Sequence, residues 1–229
     1  MIASYPASDP NVTPTGGTNP FVNSSEDHSS GTAWNDADPA TCSFKCTQGV
    51  SGATGAAPST LWPTPSHQQG LVPGGSHGRW TSDVSLNASG DTATMICLGL
   101  LGDSANGLYF FGGTSEASPI GAATTADLDQ AVGGNLGAMN PVPYHLASGA
   151  TTHAEVFPGA TVGTNSFPTS TSPGFRAGTR WDPLTGPGTP NEASLIATLA
   201  PVRPRGVRRS TEVDDGPCDI FSFWHMMSP

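Results

Sequence analysis

Hydrophobic residues along this chain fall in short runs separated by stretches of Gly, Pro, Ser and Thr. Asp83-Val84-Ser85-Leu86-Asn87 alternates polar and apolar positions, as a half-buried strand does. Thr94-Met95-Ile96-Cys97-Leu98 reads as a second buried or half-buried strand. Leu108-Tyr109-Phe110-Phe111 predicts another, running straight into Gly112-Gly113-Thr114-Ser115-Glu116-Ala117-Ser118-Pro119. From Ile120 to Val132 the chain is alanine-rich and free of further proline, and Gly133-Gly134 stops it, so a helix opens within that octet. Thr114 and Ser115 offer capping hydroxyls, and Pro119 falls where an early turn tolerates it. A short helical stretch is expected to end at Tyr144-His145-Leu146-Ala147. A final helix is expected to open at Thr189-Pro190-Asn191-Glu192, with Thr189 and Glu192 as a capping box and Leu195, Ile196 and Leu199 along one face. Residues 1–35 predict a short strand followed by loop, and 36–78 and 148–180 predict loop.

A strand, a tight turn and a helix in that order form the setting in which a serine nucleophile is presented. Backbone N–H groups and the helix dipole at such a mouth favour developing negative charge, which suits acyl transfer at Ser115. The plain structural reading of the same octet is a capping serine. Glu116 adjoins Ser115, but helix neighbours point in different directions, so it is expected to complement the helix N-terminus rather than act as a base.

Composition narrows the partners. Acidic residues number 18 against 8 basic ones, for a net charge of −10, and Lys45 is the only lysine. Such a surface repels nucleic acid and anionic membranes. The arginines at 203, 205, 208 and 209 lack the aromatic interleaving of a nucleic-acid patch and read as a solvated tail. Met95 to Leu101, the best apolar run, is far too short to cross a bilayer. Only 11% of residues are charged, with 29 Gly and 22 Pro, a balance that suits an exported protein, although the N-terminus carries no signal peptide. Cys42, Cys46, Cys97 and Cys218 allow three disulfide connectivities, and Cys42 and Cys46 could close a small loop. No Cys or His spacing suggests zinc.

Seven ordered segments resemble the sedolisin family of serine-carboxyl peptidases, acid-active relatives of subtilisins. Tyr5-Pro6-Ala7-Ser8-Asp9-Pro10-Asn11-Val12-Thr13 through Gly16-Gly17-Thr18 is similar to PASxPxVTxVGGT, followed by Ala33-Trp34-Asn35. Pro65-Ser66-His67-Gln68-Gln69-Gly70-Leu71 resembles PxWQxGL, and Asp83 to Ala88 resembles PDVSLNAD. The octet is similar to GGTSxxxP, Met139-Asn140-Pro141 with Tyr144 to LNPxLY, and Trp181-Asp182-Pro183-Leu184-Thr185-Gly186-Pro187-Gly188-Thr189-Pro190-Asn191 to WDPxTGLGxPN.

The resemblance implies an α/β chain over residues 1–200. It would be a partial subtilisin-like three-layer fold with a mostly parallel sheet and a central helix opened by Ser115. It implies a hydrolase, a serine-type endopeptidase acting on peptide or protein substrates, extracellular and monomeric, with residues 201–229 as a disordered tail. The family's paired acid/base carboxylates and its oxyanion aspartate lie upstream of the PASxP segment, so the expectation is a truncated chain, inactive alone. The alternative is a non-catalytic remnant or peptide-binding module. The family's calcium site also comes through altered. Its FxDITxGxN segment aligns with Phe157 to Asn165, placing Gly159 at the liganding aspartate and Ala160 at the next carbonyl. The GxGWD segment aligns with Gly178, Thr179, Arg180, Trp181 and Asp182, keeping the Asp182 carboxylate but putting Arg180 at a usual glycine. Calcium takes six to eight oxygens, so a metal-free loop is expected here.

Overall fold

The computed structural model describes residues 3–22, 28–38, 52–72, 77–98, 108–168, 170–171 and 173–200. At its centre lies strand β1 (Thr15–Val22), flanked on one side by β2 (His28–Ala33). Further along the chain come β3 (Ala57–Pro58), β4 (Trp80–Thr81) and β5 (Val84–Asn87). β1 pairs antiparallel with β2 and parallel with β5, in the register Thr15↔Val84 to Thr18↔Asn87. β3 and β4 form a small antiparallel pair. A separate antiparallel hairpin joins β6 (Thr94–Cys97) to β7 (Leu108–Phe111), with Thr94 opposite Phe111 and Met95 opposite Phe110.

The mostly parallel sheet expected from the resemblance is therefore corrected. Among the described strands only β1 and β5 pair in parallel. Residues 28–33, read as loop, turn back on β1 and pair with the edge of Thr18 to Val22 that faces away from β5. The β6 segment is also more exposed than its apolar run suggested, since β7 is its only strand partner among the described residues.

Helix α1 (Thr114–Val132) crosses one face of the sheet, with α2 (Pro141–Ala147), α3 (Ala150–Val156) and α4 (Glu192–Leu199) around it. α3 falls in a segment read as loop. The core gathers Leu128 of α1, Leu146, Val156, Phe157 and Leu195, with Val84 and Met139 packed against them. α1 lies close to the strands because its face is small: a Cβ at Gly121 would stand 3.2 Å from both Leu86 and Thr15. The Gly16-Gly17 pair has the same logic on β1. A side chain on Gly16 would meet Ser85 Oγ at 2.4 Å, and one on Gly17 would meet the Trp34 ring at 2.9 Å, so larger residues are excluded from both.

Helix ends also differ from expectation. α4 starts at Glu192 rather than at Pro190, because Asn191 is its cap, accepting from Ser194 N at 3.0 Å. The Thr189–Glu192 box is not formed. The expected tail, 201–229, lies outside the described residues, as do Cys42, Cys46 and Cys218.

Candidate active site at the mouth of α1

β7 delivers the chain to Gly112 and Gly113, and Gly113 turns it into the helix. Its φ of 81° is a conformation other residues adopt only with strain, and its N–H is pinned to Ala88 O at 2.7 Å. Gly113, not Thr114 or Ser115, is the N-cap, and no side chain caps the helix. Glu116 N and Ala117 N both turn back to Gly113 O, at 2.9 and 3.4 Å. The N–H groups of Thr114 and Ser115 make no hydrogen bond among the described residues. Ser115, the second residue of the helix, is exposed. An accessible hydroxyl thus sits beside two unspent amide donors on a helix dipole.

The floor of this mouth is built from Trp34 and Asp36. The Trp34 indole lies under Gly17, Gly52 and Gly113. Asp36 is buried, and its carboxylate accepts from Ser89 Oγ at 2.8 Å and Gly90 N at 3.1 Å. That Ser89-Gly90 turn packs directly beneath Gly112, where an added Cβ would lie within 3.6 Å of Ser89 O. Asp36 therefore fixes the backbone on which the Gly112-Gly113 turn into α1 rests. Sequence reasoning missed it, although its place just after the matched Trp34-Asn35 was a signal.

Glu116 lies in the first turn of α1 and is buried. Oε1 accepts from Asn87 Nδ2 at 2.9 Å and from Thr94 Oγ1, while Oε2 has no partner. Asn87 is itself committed to this contact and to the Thr92 carbonyl. Glu116 thus ties the first turn of α1 to β5 and β6.

Four of the matched motifs converge on one buried network. Arg79 and Asp83 are both 0% exposed and form an ion pair at 2.5 Å. Tyr144 OH donates to Asp83 Oδ1 at 2.8 Å, and Gln68 Nε2 donates to Tyr144 OH at 2.8 Å. Arg79 also reaches the carbonyls of Asp9 and Val12, so the segment leading into β1 hangs on this cation. Asn140 holds the same segment through Pro10 O and Val12 O. Burial raises the Asp83 carboxyl, against the pull of Arg79, Tyr144 and Gln68. Burial and the Asp83 charge raise the Tyr144 phenol well above its ordinary value. These residues are scaffold: every polar atom faces another.

No histidine serves Ser115 among the described residues. His153 is buried and bonded to Pro187 O at 2.8 Å. His67 packs on Tyr144, ring centroids 5.1 Å apart, and burial followed by the Arg79 charge lowers its pKa. Among the described residues no carboxylate hydrogen-bonds the Ser115 hydroxyl either.

The loops resembling a calcium site do not fit the ion. Asp182 is buried, and its oxygens are already taken: Oδ1 accepts from Leu184 N at 2.8 Å and Thr185 N at 3.0 Å, and Oδ2 from Thr185 Oγ1 at 2.6 Å. Its carboxyl closes the Asp182–Gly186 turn on which β5 rests, through Ser85 N to Gly188 O. Gly159 brings no oxygen ligand from a side chain, and a Cβ there would meet Gly188 Cα at 3.3 Å. Arg180, at φ 68°, sends its guanidinium to Ser148 O at 3.2 Å. Ala160 is buried and Gly178 half-buried. No group of three His, Cys, Asp or Glu that could hold a metal occurs among the described residues.

No family model matches this chain. Among characterised proteins it is similar to kumamolisin of Bacillus sp. (strain MN-32), 32% identical over 203 residues, covering 86% of this chain and 32% of the relative. Sedolisin of Pseudomonas sp. (strain 101) is 31% identical over 196 residues, covering 86% of this chain and 30% of the relative. Tripeptidyl-peptidase sed1 of Aspergillus fumigatus is 43% identical over 89 residues, 37% of this chain and 12% of the relative. The solved structure of Pseudomonas sedolisin, a serine-carboxyl proteinase complexed with two molecules of pseudo-iodotyrostatin, superposes with a TM-score of 0.69 at 31% identity. It covers 85% of this chain and 48% of that one. The chain spans less than a third of the length of the curated relatives it matches over most of its own.

Proposed function

Because this chain belongs, over most of its length, to the sedolisin family of serine-carboxyl peptidases, we propose that Ser115 is the nucleophile of a serine-type endopeptidase reaction. The observation that carries this reading is the exposed Ser115 hydroxyl beside the open Thr114 and Ser115 amides. Oγ attacks the peptide carbonyl and gives its proton to a base. The carbonyl oxygen takes up charge facing those amides. The amine leaves with a proton, and water then releases the acyl group from Ser115.

The base is the part the described residues do not supply. An unassisted serine hydroxyl is weak, and loss of a triad member lowers turnover by about 10⁴-fold or more. We therefore propose that the chain on its own binds peptides and turns them over poorly or not at all. The second reading, a non-catalytic peptide-binding module, draws on this same unpartnered Ser115. Low charge and the disulfide at Cys97 support an extracellular setting. Among the described residues no helix is long and apolar enough to cross a membrane.

Two measurements on the full chain test this. Exposure to a fluorophosphonate with imidazole added as an external base, followed by peptide mapping, should place the adduct on Ser115. An adduct on another residue, or none under these conditions, rejects Ser115 as nucleophile. Hydrolysis of a quenched peptide mixture between about pH 3 and 7, the range of carboxylate titration, should stay at background. Turnover that vanishes in Ser115→Ala would show that the chain carries its own base.

A further inference from the structure

A cavity of about 790 Å³ opens between residues 66–71, α2 and the start of the Asp182 turn. Small-molecule sites run from about 300 to 1,000 Å³, so its size suits one. His67, Gln69, Leu71, His145, Arg180 and Trp181 are among the residues that line it, and no Asp, Glu or Lys does. The chain carries 18 acidic residues against 8 Lys and Arg. A wall with one guanidinium, two imidazoles and no carboxylate is an exception on such a molecule.

Two of these residues are also where the chain departs from motifs it otherwise follows. His67 stands at the tryptophan of PxWQxGL, and Arg180 at the second glycine of GxGWD. The motifs lie far apart in the chain, yet both departures line this one cavity. Arg180 holds a φ of 68°, a strain that glycine would not bear. Its side chain spends one hydrogen bond inside the protein, from Nη2 to Ser148 O at 3.2 Å. The rest of its donors are unspent among the described residues. Neither ring nitrogen of His67 has a hydrogen-bond partner among them, and its Nε2 is buried. Trp181, half-buried and edge-on to Trp80 with ring centroids 5.7 Å apart, adds an aromatic wall held by packing.

An open guanidinium takes a carboxylate through two parallel N–H···O bonds, and aromatic rings take a flat apolar body. We propose that this cavity binds an aromatic carboxylate, its charge on Arg180 and its ring against His67 and Trp181. The site is separate from the Ser115 chemistry, since no residue of the α1 mouth lines it.

The test is equilibrium dialysis of the full chain against 2-naphthoate, and against 2-naphthamide, which keeps the ring and lacks the charge. The acid should bind about tenfold tighter than the amide. Acetate, which has no ring, should bind far more weakly than either. Arg180→Gly removes the guanidinium at a backbone angle that suits glycine, so the chain should melt normally and bind the two naphthalenes alike. If that variant melts lower, Arg180→Gln keeps the stem and should give the same loss of preference. Equal binding of acid and amide by the unsubstituted chain overturns the proposal, as does binding of neither. A preference that persists in a normally melting Arg180 variant overturns it too, as does acetate binding as tightly as naphthoate. Gly-Gly-Phe and its C-terminal amide, used as competitors, identify the source. Displacement by the acid alone assigns the site to peptide C-termini, and displacement by neither assigns it to small free acids. Equal displacement by both overturns the carboxylate assignment.

Discussion

The mouth of α1 and the Asp182 turn lie on the same scaffold, and both come from segments that match one family closely, yet they are chemically opposite. At the mouth the Thr114 and Ser115 amides are unspent and the serine hydroxyl is exposed. At the turn each carboxylate oxygen of Asp182 already has donors inside the protein. Unspent donors can act on something that arrives, whereas satisfied ones only hold shape. A motif match therefore says where a residue sits, and hydrogen-bond accounting says whether it is still available for chemistry.

The sharpest way to break this contrast is to open a satisfied region and compare it with the open one. Asp83→Ala leaves the fully buried Arg79 guanidinium unpaired and removes acceptors from Tyr144 and Gln68. It should destabilise the chain by about 3–5 kcal/mol, if the chain folds at all. Ser115→Ala touches only an exposed hydroxyl and should stay within about 0.5 kcal/mol. Urea unfolding of the two variants side by side decides the point. Comparable midpoints would mean the network is not the structural keystone that its burial implies.

Asp182→Ala comes next, at about 1–3 kcal/mol, because the Leu184 and Thr185 donors are left buried without an acceptor. Its pH dependence has a definite sign. Burial raises the folded carboxyl above its ordinary 3.8, against the donors from Thr185, Leu184 and Gly178. The folded state then holds this proton to higher pH than the unfolded state. Stability from Asp182 is full below its unfolded value and is lost as pH rises through the folded one. Asp182→Asn, which cannot titrate, should narrow its stability gap to the unsubstituted chain as pH climbs from about 3 to 7. Asp83 shifts in the same direction and leaves a residual slope in both proteins. A gap that widens with pH would show that the donors, not burial, dominate at Asp182.

At the open end, Glu116→Ala should cost about 1 kcal/mol through the lost Asn87 and Thr94 contacts, offset by relief of the unpartnered Oε2. Its clearer signature is local. Once the first turn of α1 is no longer tied to β5 and β6, amide exchange at Ala117 and Ser118 should quicken while exchange at Leu128 stays slow. Uniform acceleration along α1 would make Glu116 a global core residue rather than a clamp on the mouth.

Much of this was legible in the sequence because it depends on local rules. The Gly112-Gly113 turn, the α1 span and its stop at Gly133, and the β7 strand that leads into them follow from residue placement over short stretches. What the sequence did not disclose is nonlocal. β2 forms because the edge of β1 opposite β5 needs a partner, and α3 because Val156 and Phe157 find a core built from α1 and α4. Asp36 supports a turn more than fifty positions away, and Arg79 gathers carbonyls from Asp9 and Val12. The partners of Glu116 were hidden for the same reason: Asn87 and Thr94 are its neighbours only after β5 and β6 are in position.

The smallest expected effect concerns calcium, and it tests the closed half of the comparison directly. A ligand that binds only the folded state raises stability by RT ln(1 + [L]/Kd), so even a site with millimolar affinity gives a measurable rise in melting temperature at tens of millimolar ion. Here the expected rise is none. The Asp182 oxygens would have to give up Leu184, Thr185 and the Thr185 hydroxyl before meeting a cation. Gly159 adds no carboxylate, and the Arg180 guanidinium brings positive charge into the same loop. Thermal unfolding with calcium, and with magnesium at equal ionic strength as the control, should superimpose. A calcium-selective rise that disappears in Asp182→Ala would show that the turn opens to take the ion after all. If no rise occurs, Gly159→Asp alone should not create one, because its Cβ must first displace the Gly188 backbone at 3.3 Å. Binding gained by that single substitution would mean the loop is more yielding than its hydrogen bonds indicate.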